Sequence, residues 1–191
     1  MNLFLAPHND DEALFGAYII QTYNPLVLVV TDSYIQYERG EKACSAEARI
    51  AETKAAMNVL GAEVEFLHLP DKSLNAAELR TALVRFIVSE KRFDFNGDYR
   101  APETTFAPVV EEGGNWAHNI VGEVAGQMFS RLQSYYTYTN KCDYPQGEVL
   151  VPATDEMRRK KLEALRCYKS QWANCCRLYF ETPQKDEYLC K

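Results

Sequence analysis

The sequence predicts an α/β fold, a three-layer α/β/α, Rossmann-like domain with a mostly parallel sheet. Two observations support this prediction. Short apolar runs alternate with longer stretches of helical periodicity along the 191 residues, an order that favours a sheet covered by helices on both faces. Apolar runs also end in polar side chains, as Leu26–Val30 ends at Thr31 and Asp32. Because open α/β sheets bind ligands at the carboxyl ends of their strands, we expect functional residues there.

The first half of the chain alternates regularly between predicted strands and helices. The strands are Leu3–Ala6, Leu26–Val30 and Glu63–Leu69, and the helices are Glu12–Tyr23, Ala46–Leu60 and Asn75–Lys91. Apolar residues recur at spacings of three and four within these helices, and Gly61 stands where a glycine commonly ends a helix. Ser33–Cys44 is predicted to be a loop, either a lid or an ordinary surface connection.

The second half continues the alternation less regularly. Thr105–Val110, Ser134–Thr139 and Glu148–Val151 are predicted strands, and Asn119–Leu132 and Glu156–Ser170 are predicted helices. Thr154 and Asp155 can cap the last helix. Phe93–Thr104 is irregular, and Cys175–Lys191 carries short apolar runs without recognisable chemistry. No repeat or linker interrupts the chain, so we expect a single domain over residues 1–191.

Composition and charge argue against several classes of function. The hydrophobic content of 47% and the charged content of 25% are ordinary for a soluble protein. No apolar run approaches the roughly 20 residues that span a bilayer, and Met1–Leu5 lacks the basic region of a secretory signal. We therefore expect a cytoplasmic protein without a membrane partner. The net charge of −6 disfavours an extended nucleic-acid surface.

The six cysteines predict neither a disulfide scaffold nor a structural zinc site. None of them forms a C-x-x-C pair, the spacing that structural zinc sites commonly use. The chain also lacks the cysteine density and the signal of a secreted disulfide scaffold. We expect reduced, mostly structural thiols, with a redox or reactive role as the alternative.

A cluster of ionisable residues follows the first predicted strand, and two interpretations of it are open. In the first, Asn9 caps a helix and Glu12 completes a capping box. The acids then lie at the positive end of the helix dipole, which stabilises the helix by about 0.3–1 kcal/mol for each acid. In the second, His8 and Asp11 ligate one metal ion, and Asp10 between them handles a proton. A catalytic zinc typically takes three protein ligands and leaves a fourth position for water.

The chain has three histidines, so His68 and His118 are the histidine candidates for a third ligand. His68 lies inside Glu63–Leu69 and is better interpreted as a satisfied core or sheet-face histidine. His118 follows a glycine turn after the fourth predicted strand and opens a helix. Its position is analogous to that of His8, and we therefore prefer His118.

The sequence from Pro7 to Leu14 resembles the H-P-D-D-E signature of the LmbE-like, PIG-L-type family of zinc-dependent N-acetylglucosamine deacetylases. Further segments resemble the family in the same order along the chain. They are Arg49–Gly61 (its R-x-x-E-x-x-x-A-x-x-x-L-G helix), Leu69–Asp71 (the segment after its third strand), Asn115–His118 (its H-x-D-H motif) and Lys161–Gln171 (its K-x-x-A-L…S-Q helix).

The resemblance implies a zinc ion held by His8, Asp11 and His118, with Asp10 as the general base. Zinc lowers the pKa of its bound water towards about 7 and polarises an amide carbonyl. A neighbouring carboxylate can take the proton and return it to the leaving amine. Another divalent metal remains open, since nitrogen and oxygen ligands are not strongly metal-selective.

The resemblance also implies that Arg49 contacts the substrate. The alternative is a solvated helix arginine that pairs with Glu47 or Glu52. The H-x-D-H motif departs from the family, because Asn115 and Ala117 stand in place of its first histidine and its aspartate. That histidine is thought to stabilise the oxyanion. Asn115 can still donate a neutral hydrogen bond, and losing such a donor costs about 10²–10³ in rate.

The function that the sequence predicts is a metal-dependent N-deacetylase or amidase. It would hydrolyse a linear C–N amide bond of an N-acetylated amino sugar or a small sugar-like conjugate. The alternative is a binding or regulatory member of the same fold with weak or lost catalysis, favoured by the altered Asn115–His118 segment. A nucleotide-binding domain ranks low, because no G-x-G-x-x-G or P-loop follows a predicted strand. Neither the individual substrate nor the oligomeric state is predicted.

Overall fold

The computed structural model describes residues 1–33, 44–96, 99–137, 149–173 and 187–190. Its strands are β1 (Leu3–Ala6), β2 (Leu26–Asp32), β3 (Val64–Pro70), β4 (Phe95–Asn96), β5 (Tyr99–Arg100), β6 (Thr105–Pro108), β7 (Leu132–Tyr135), β8 (Val149–Val151) and β9 (Glu187–Cys190). Its α-helices are α1 (Asp11–Leu14), α2 (Ala17–Tyr23), α3 (Ala46–Leu60), α4 (Ala76–Ser89), α5 (Trp116–Met128) and α6 (Asp155–Cys167), and a short 3₁₀ turn covers Asp71–Ser73.

Seven of these strands form one mixed sheet in the order β3-β2-β1-β6-β7-β9-β8. The first five pair in parallel, whereas β9 pairs antiparallel with both of its neighbours. The predicted α/β fold with a mostly parallel sheet is therefore confirmed. The chain runs outward from β1 to β3 and then returns to the other side of β1 at β6. This reversal creates a switch point, the place where such sheets bind ligands.

Helices cover both faces of the sheet. On one face, α1, α2, α3 and α6 pack over alternate strand residues such as Phe4 and Val27. On the other face, α4 and α5 pack over the intervening residues, among them Leu5 and Leu28. The central strands are thus buried on both sides, which explains why their sequences are continuously apolar.

The predicted helix Glu12–Tyr23 is wrong in one respect, because the structure divides it into α1 and α2 around Gly16. A β-carbon at Gly16 would lie 2.3 Å from the ring of Phe4. The break therefore lets the chain pass directly over β1, at a distance that only glycine permits.

Other predicted boundaries also change. Helix α5 begins at Trp116 rather than at residue 119, because the side chain of Asn115 caps it. It ends at Met128, so Leu132 belongs to β7 rather than to the helix. Helix α6 begins after Thr154, whose side chain accepts a hydrogen bond from the Met157 backbone N–H as predicted, and it ends three residues earlier than expected.

Some predictions fall on residues that the structure does not describe. These include residues 34–43 of the predicted loop or lid, the end of the predicted strand Ser134–Thr139, and Cys142, Cys175 and Cys176. In the described part, Cys44, Cys167 and Cys190 are free thiols. No helix in the described ranges is long and apolar enough to cross a membrane. That residues 1–191 form one domain stays a prediction.

Strand β9 is a further element that the sequence did not predict, and a buried ion pair holds it. Glu187 Oε2 accepts hydrogen bonds from the backbone N–H groups of Tyr18 and Ile19 at 2.8 and 3.0 Å. Glu187 Oε1 lies 2.7 Å from Lys161 Nζ on α6, and both side chains are almost fully buried. One carboxylate thus ties the last strand to α2 and α6.

Replacing Glu187 by glutamine should lower the free energy of unfolding strongly, because the ammonium group of Lys161 would be left buried without its counter-charge. Breaking a buried pair in this way costs about 3–5 kcal/mol. The urea midpoint measures the loss. Glu156→Gln is the matched control, since Glu156 pairs with Arg159 on the exposed surface, and it should change the midpoint little. Equal midpoints for the two variants would contradict the role of the buried pair.

Candidate metal centre

The candidate site lies at the carboxyl ends of β1 and β6, where the strand order reverses. His8 follows β1 after one intervening residue, and Asp11 is the first residue of α1. His118 lies in the first turn of α5, which follows β6 on the other side of the switch point. Residues that are far apart in sequence meet here because two neighbouring parallel strands end side by side.

Three potential ligand atoms converge in a nearly equilateral triangle. His8 Nδ1 lies 3.2 Å from Asp11 Oδ2 and 3.2 Å from His118 Nε2, and His118 Nε2 lies 3.1 Å from the same carboxylate oxygen. Neighbouring ligand atoms of a tetrahedral zinc with bonds of about 2.0–2.1 Å are about 3.3 Å apart. In the described part of the chain, no other group of three or more potential ligands converges in this way.

The electrostatics of the triangle favour a positive charge at its centre. Burial by itself lowers the pKa of His8, but hydrogen bonds to Asp11 and Asp71 outweigh it and raise that pKa to about 10. Burial raises the pKa of Asp11, yet the interactions of its carboxylate with His118 and His8 together outweigh burial and hold that pKa well below its usual range. Asp11 Oδ1 is buried and has no hydrogen-bond partner among the described residues. A divalent cation would satisfy these groups.

The outer nitrogens of the two imidazoles are also held. His8 Nε2 lies 3.0 Å from Asp71 Oδ1, and His118 Nδ1 lies 3.2 Å from Thr137 Oγ1. Such partners fix the tautomer and the orientation of histidines that bind metal. The sequence patterns did not identify Asp71 or Thr137 as functional. Asp71 directly follows the third strand, a position from which a functional role could have been predicted. Nothing in the local sequence around Thr137 indicates such a role.

Asp10 lies next to this triangle in an unusual backbone conformation. Its φ is +108°, a value that residues with a side chain rarely adopt. Its carboxylate Oδ2 lies 3.3 Å from Arg49 Nη2, and its backbone N–H donates to Glu12 Oε2 at 3.1 Å. Glu12 itself is fully buried, and burial raises its pKa to about 8. Asp10 is therefore the acid beside the triangle whose ionised form has a buried cationic partner.

The capping interpretation of this segment is only partly correct. The residue before α1 is Asp10 rather than Asn9, and its side chain makes no cap hydrogen bond. Asn9 instead donates from Nδ2 to Thr53 Oγ1 at 3.0 Å, so its predicted role as the N-cap is wrong. Glu12 does reach back to the backbone N–H of the cap residue, but from the second helical position rather than the third position of a capping box.

Arg49 is buried in the first turn of α3, with only 2% of its surface exposed. Its Nη2 donates to the backbone oxygen of Asn9 and reaches Asp10. The alternative of a solvated arginine paired with Glu47 or Glu52 is therefore wrong, and Glu52 instead accepts hydrogen bonds from Ser170. The Nε and Nη1 donors of Arg49 are buried without a partner among the described residues, which leaves them available to a ligand.

Asn115 is exposed and caps α5, three residues before His118. Its Oδ1 accepts hydrogen bonds from the backbone N–H groups of Ala117 and His118, at 2.9 and 3.3 Å. The cap thus fixes the helix turn that carries His118. Because the cap uses the carbonyl oxygen of the side chain, the amide nitrogen is the part of Asn115 that can donate elsewhere.

His68 lies outside the triangle, on an edge strand. Its Nδ1 pairs with Asp32 Oδ1 at 2.9 Å, and 57% of its side chain is exposed. The backbone has a φ of +56° at His68, where the pairing of β3 with β2 shifts register. The expectation of a satisfied histidine holds, but its position is an exposed bulge rather than the core.

Solved structures resemble the chain along nearly its whole length. A triple mutant of a deacetylase of the teicoplanin biosynthetic pathway shares 16% identity, with a TM-score of 0.73 over 98% of this chain and 95% of that one. The N,N'-diacetylchitobiose deacetylase of Pyrococcus horikoshii shares 19% identity, with a TM-score of 0.67 over 95% and 74%. The 4-carboxy-2-hydroxymuconate hydratase of Pseudomonas putida shares 15%, with a TM-score of 0.61 over 95% and 82%. At such identities the likeness establishes a common fold.

Two sequence comparisons complement the structural ones. Curated protein sequences give no match to the chain. The sequence profile described as PIG-L: GlcNAc-PI de-N-acetylase, however, matches residues 3–129, a range that includes His8, Asp11 and His118. Because this match spans well over half of the chain, the protein belongs to the PIG-L family, as its sequence motifs predicted.

Proposed function

We propose that the protein is a metal-dependent N-deacetylase that hydrolyses the acetamide of an amino sugar or a related sugar-like conjugate. The observation that carries this proposal is the convergence of His8 Nδ1, Asp11 Oδ2 and His118 Nε2 beside the buried carboxylate of Asp10. Membership of the PIG-L family supports the reaction class. A divalent ion held by these three residues, zinc in this proposal, would activate water near neutral pH and polarise the amide carbonyl.

Asp10 is the proposed general base. Its carboxylate takes a proton from the attacking water and returns it to the nitrogen of the leaving amine. Arg49, whose Nη2 lies 3.3 Å from this carboxylate, orients it and provides a cationic partner. The remaining donors of Arg49 are proposed to bind the substrate, because buried guanidinium groups need acceptors. Glu12 is a weaker candidate for the base, since both of its carboxylate oxygens already accept hydrogen bonds within the protein.

Asn115 and Asp71 are proposed to support the reaction, Asn115 as a hydrogen-bond donor to the substrate and Asp71 as a residue that orients a metal ligand. The side-chain amide of Asn115 would donate a hydrogen bond to the oxyanion that develops on the acetyl group, a neutral replacement for the histidine of the family motif. Asp71 orients the imidazole of His8 through the 3.0 Å contact with Nε2, and such partners commonly change metal affinity or activity by about 10–100-fold.

The substrate class is proposed from what similar proteins act on. Two of the structural relatives are deacetylases, of the teicoplanin pathway and of N,N'-diacetylchitobiose. The hydratase with the same fold means that fold alone does not determine the reaction. A second candidate is a member with weak or lost catalysis, favoured by the use of the Asn115 oxygen as a helix cap. Release of acetate distinguishes these candidates.

Zinc added to the metal-stripped protein should raise its unfolding temperature, since binding at a hundredfold excess over Kd stabilises a protein by about 2.7 kcal/mol. The Asp11→Ala/His118→Ala double variant should lose this stabilisation and the bound metal, measured by elemental analysis. His68→Ala is the control, because the exposed His68 lies outside the triangle. A double variant that binds zinc as tightly as the unaltered protein would refute the ligand assignment.

The second prediction concerns the base. Asp10→Asn should keep the metal but lower the rate of acetate release from N-acetylated amino sugars by about 10²–10⁴, the usual contribution of a general base. The Asp32→Asn variant provides a control, as Asp32 ends the neighbouring strand and pairs with the exposed His68. An Asp10→Asn enzyme with undiminished turnover would exclude Asp10 as the base.

The third prediction separates the two roles of Asn115. Asn115→Asp keeps an oxygen for the helix cap but removes the amide donor, so stability should stay close to that of the unaltered protein while kcat falls by about 10²–10³. Asn115→Ala loses both roles and should also cost about 1 kcal/mol of stability. Thermal unfolding and acetate release measure the two effects. If Asn115→Asp leaves kcat unchanged, Asn115 serves the helix alone.

A further inference from the structure

A buried hydrogen-bond chain leads from the end of α6 to the backbone of Asp10, and the mechanism above does not use it. The hydroxyl of Tyr168 donates to Glu12 Oε1. The other oxygen of this carboxylate, Glu12 Oε2, accepts the backbone N–H of Asp10 at 3.1 Å. Tyr168 and Glu12 are fully buried, and Asp10 is 6% exposed. Solvent therefore does not compete for these hydrogen bonds.

The chain completes a clamp on a single peptide unit. The carbonyl oxygen of Asn9 accepts a hydrogen bond from Arg49 Nη2, and the N–H of Asp10, which belongs to the same peptide bond, donates to Glu12. Both polar groups of this planar unit are thus held from opposite ends. Because the plane of this peptide determines φ at Asp10, the clamp determines where the Asp10 carboxylate points.

Such a clamp is needed because the conformation of Asp10 is costly. A non-glycine residue in a sparsely populated backbone region costs about 1–3 kcal/mol and persists only when its surroundings over-determine it. The φ of +108° at Asp10 is such a case. The two contacts on the peptide unit and the contact with Arg49 help to hold this conformation.

The surroundings of Tyr168 explain how it can act at this distance in sequence. Its hydroxyl also lies 3.4 Å from Thr53 Oγ1, which accepts a hydrogen bond from the Asn9 side chain. Two residues further on, Ser170 donates to Glu52 on α3 through its backbone N–H and its hydroxyl. The segment that follows α6 is thereby fixed to α3, whose Thr53 contacts both Tyr168 and the side chain of Asn9.

We propose that Tyr168 and Glu12 are positioning residues of the deacetylase, which hold the Asn9–Asp10 peptide so that the Asp10 carboxylate meets the attacking water. This inference rests on the proposed function of Asp10. Tyr168 does not touch the substrate and acts through Glu12. A small displacement of a reacting group costs up to about 10²-fold in rate, so loss of the clamp should affect kcat rather than substrate binding.

The first test is Tyr168→Phe, which removes one hydroxyl and keeps the ring. We expect kcat for acetate release to fall about 10- to 100-fold, with KM and metal content unchanged. The matched control is Tyr135→Phe, because Tyr135 is also fully buried and its hydroxyl donates to the backbone oxygen of Leu5 at 2.8 Å. If the hydroxyl of Tyr168 had only a structural role, the two variants would have equal kcat values, and that result would overturn the proposal.

The second test uses Glu12 and the backbone amide itself. Glu12→Gln keeps an acceptor for the Asp10 N–H and should retain most of the kcat, whereas Glu12→Leu should lose it. Hydrogen exchange of the Asp10 amide, followed by NMR, should become faster in Tyr168→Phe but not in Tyr135→Phe. Unchanged exchange in Tyr168→Phe would refute the clamp. If exchange responds as expected but the unaltered protein releases no acetate, the clamp stands and the proposed function fails.

Discussion

Only four residues, Pro7 to Asp10, separate the end of β1 from the start of α1, and the geometry of the site depends on how this short segment turns. His8 and Asp11 must reach the same point, while Asp10 between them must turn its carboxylate towards Arg49. The chain achieves this with a backbone at Asp10 that residues with a side chain rarely adopt. Arg49 on α3 and Tyr168 at the end of α6 contribute to holding that turn, Arg49 directly and Tyr168 through Glu12.

The charges gathered around this turn explain why the site is suited to a cation. Three consecutive acids, Asp10 to Glu12, are buried, and burial of unpaired charge is costly. Arg49 compensates Asp10, and burial favours the neutral form of Glu12 by raising its pKa to about 8. Asp11 faces two imidazoles, and its interactions with His118 and His8 hold its pKa well below its usual range despite burial. A divalent ion held between these three residues would supply the positive charge that this buried carboxylate favours.

The sequence predicted the parts of the site that follow strand ends. His8 and His118 were identified because each follows a predicted strand, and parallel strands bring their carboxyl ends together. The contacts from Thr137 and Tyr168 were missed, because they depend on how distant elements pack and leave no local pattern.

Local patterns were also misleading where tertiary packing overrides them. The helical periodicity of residues 12–23 continues through Gly16, yet the helix is broken there, where the chain passes too close to the ring of Phe4 for a side chain. Asn9 is a good N-cap by type, but Thr53 and Arg49 engage it in the interior. Strand β9 was not predicted because four residues carry little periodicity, and its stability depends on the buried contact of Glu187 with Lys161.

The departure at Asn115 and Ala117 follows from the same packing. Asn115 uses its carbonyl oxygen to accept two backbone N–H groups at the start of α5, and this cap fixes the turn that presents His118. A histidine at this position would be a stronger donor to the proposed oxyanion, but it would give up this cap. Ala117 is buried, and a carboxylate there would be a buried charge with no histidine beside it to pair with. The two replacements are therefore coupled, and under the proposed mechanism they favour the helix turn that carries His118 over the donor to the oxyanion.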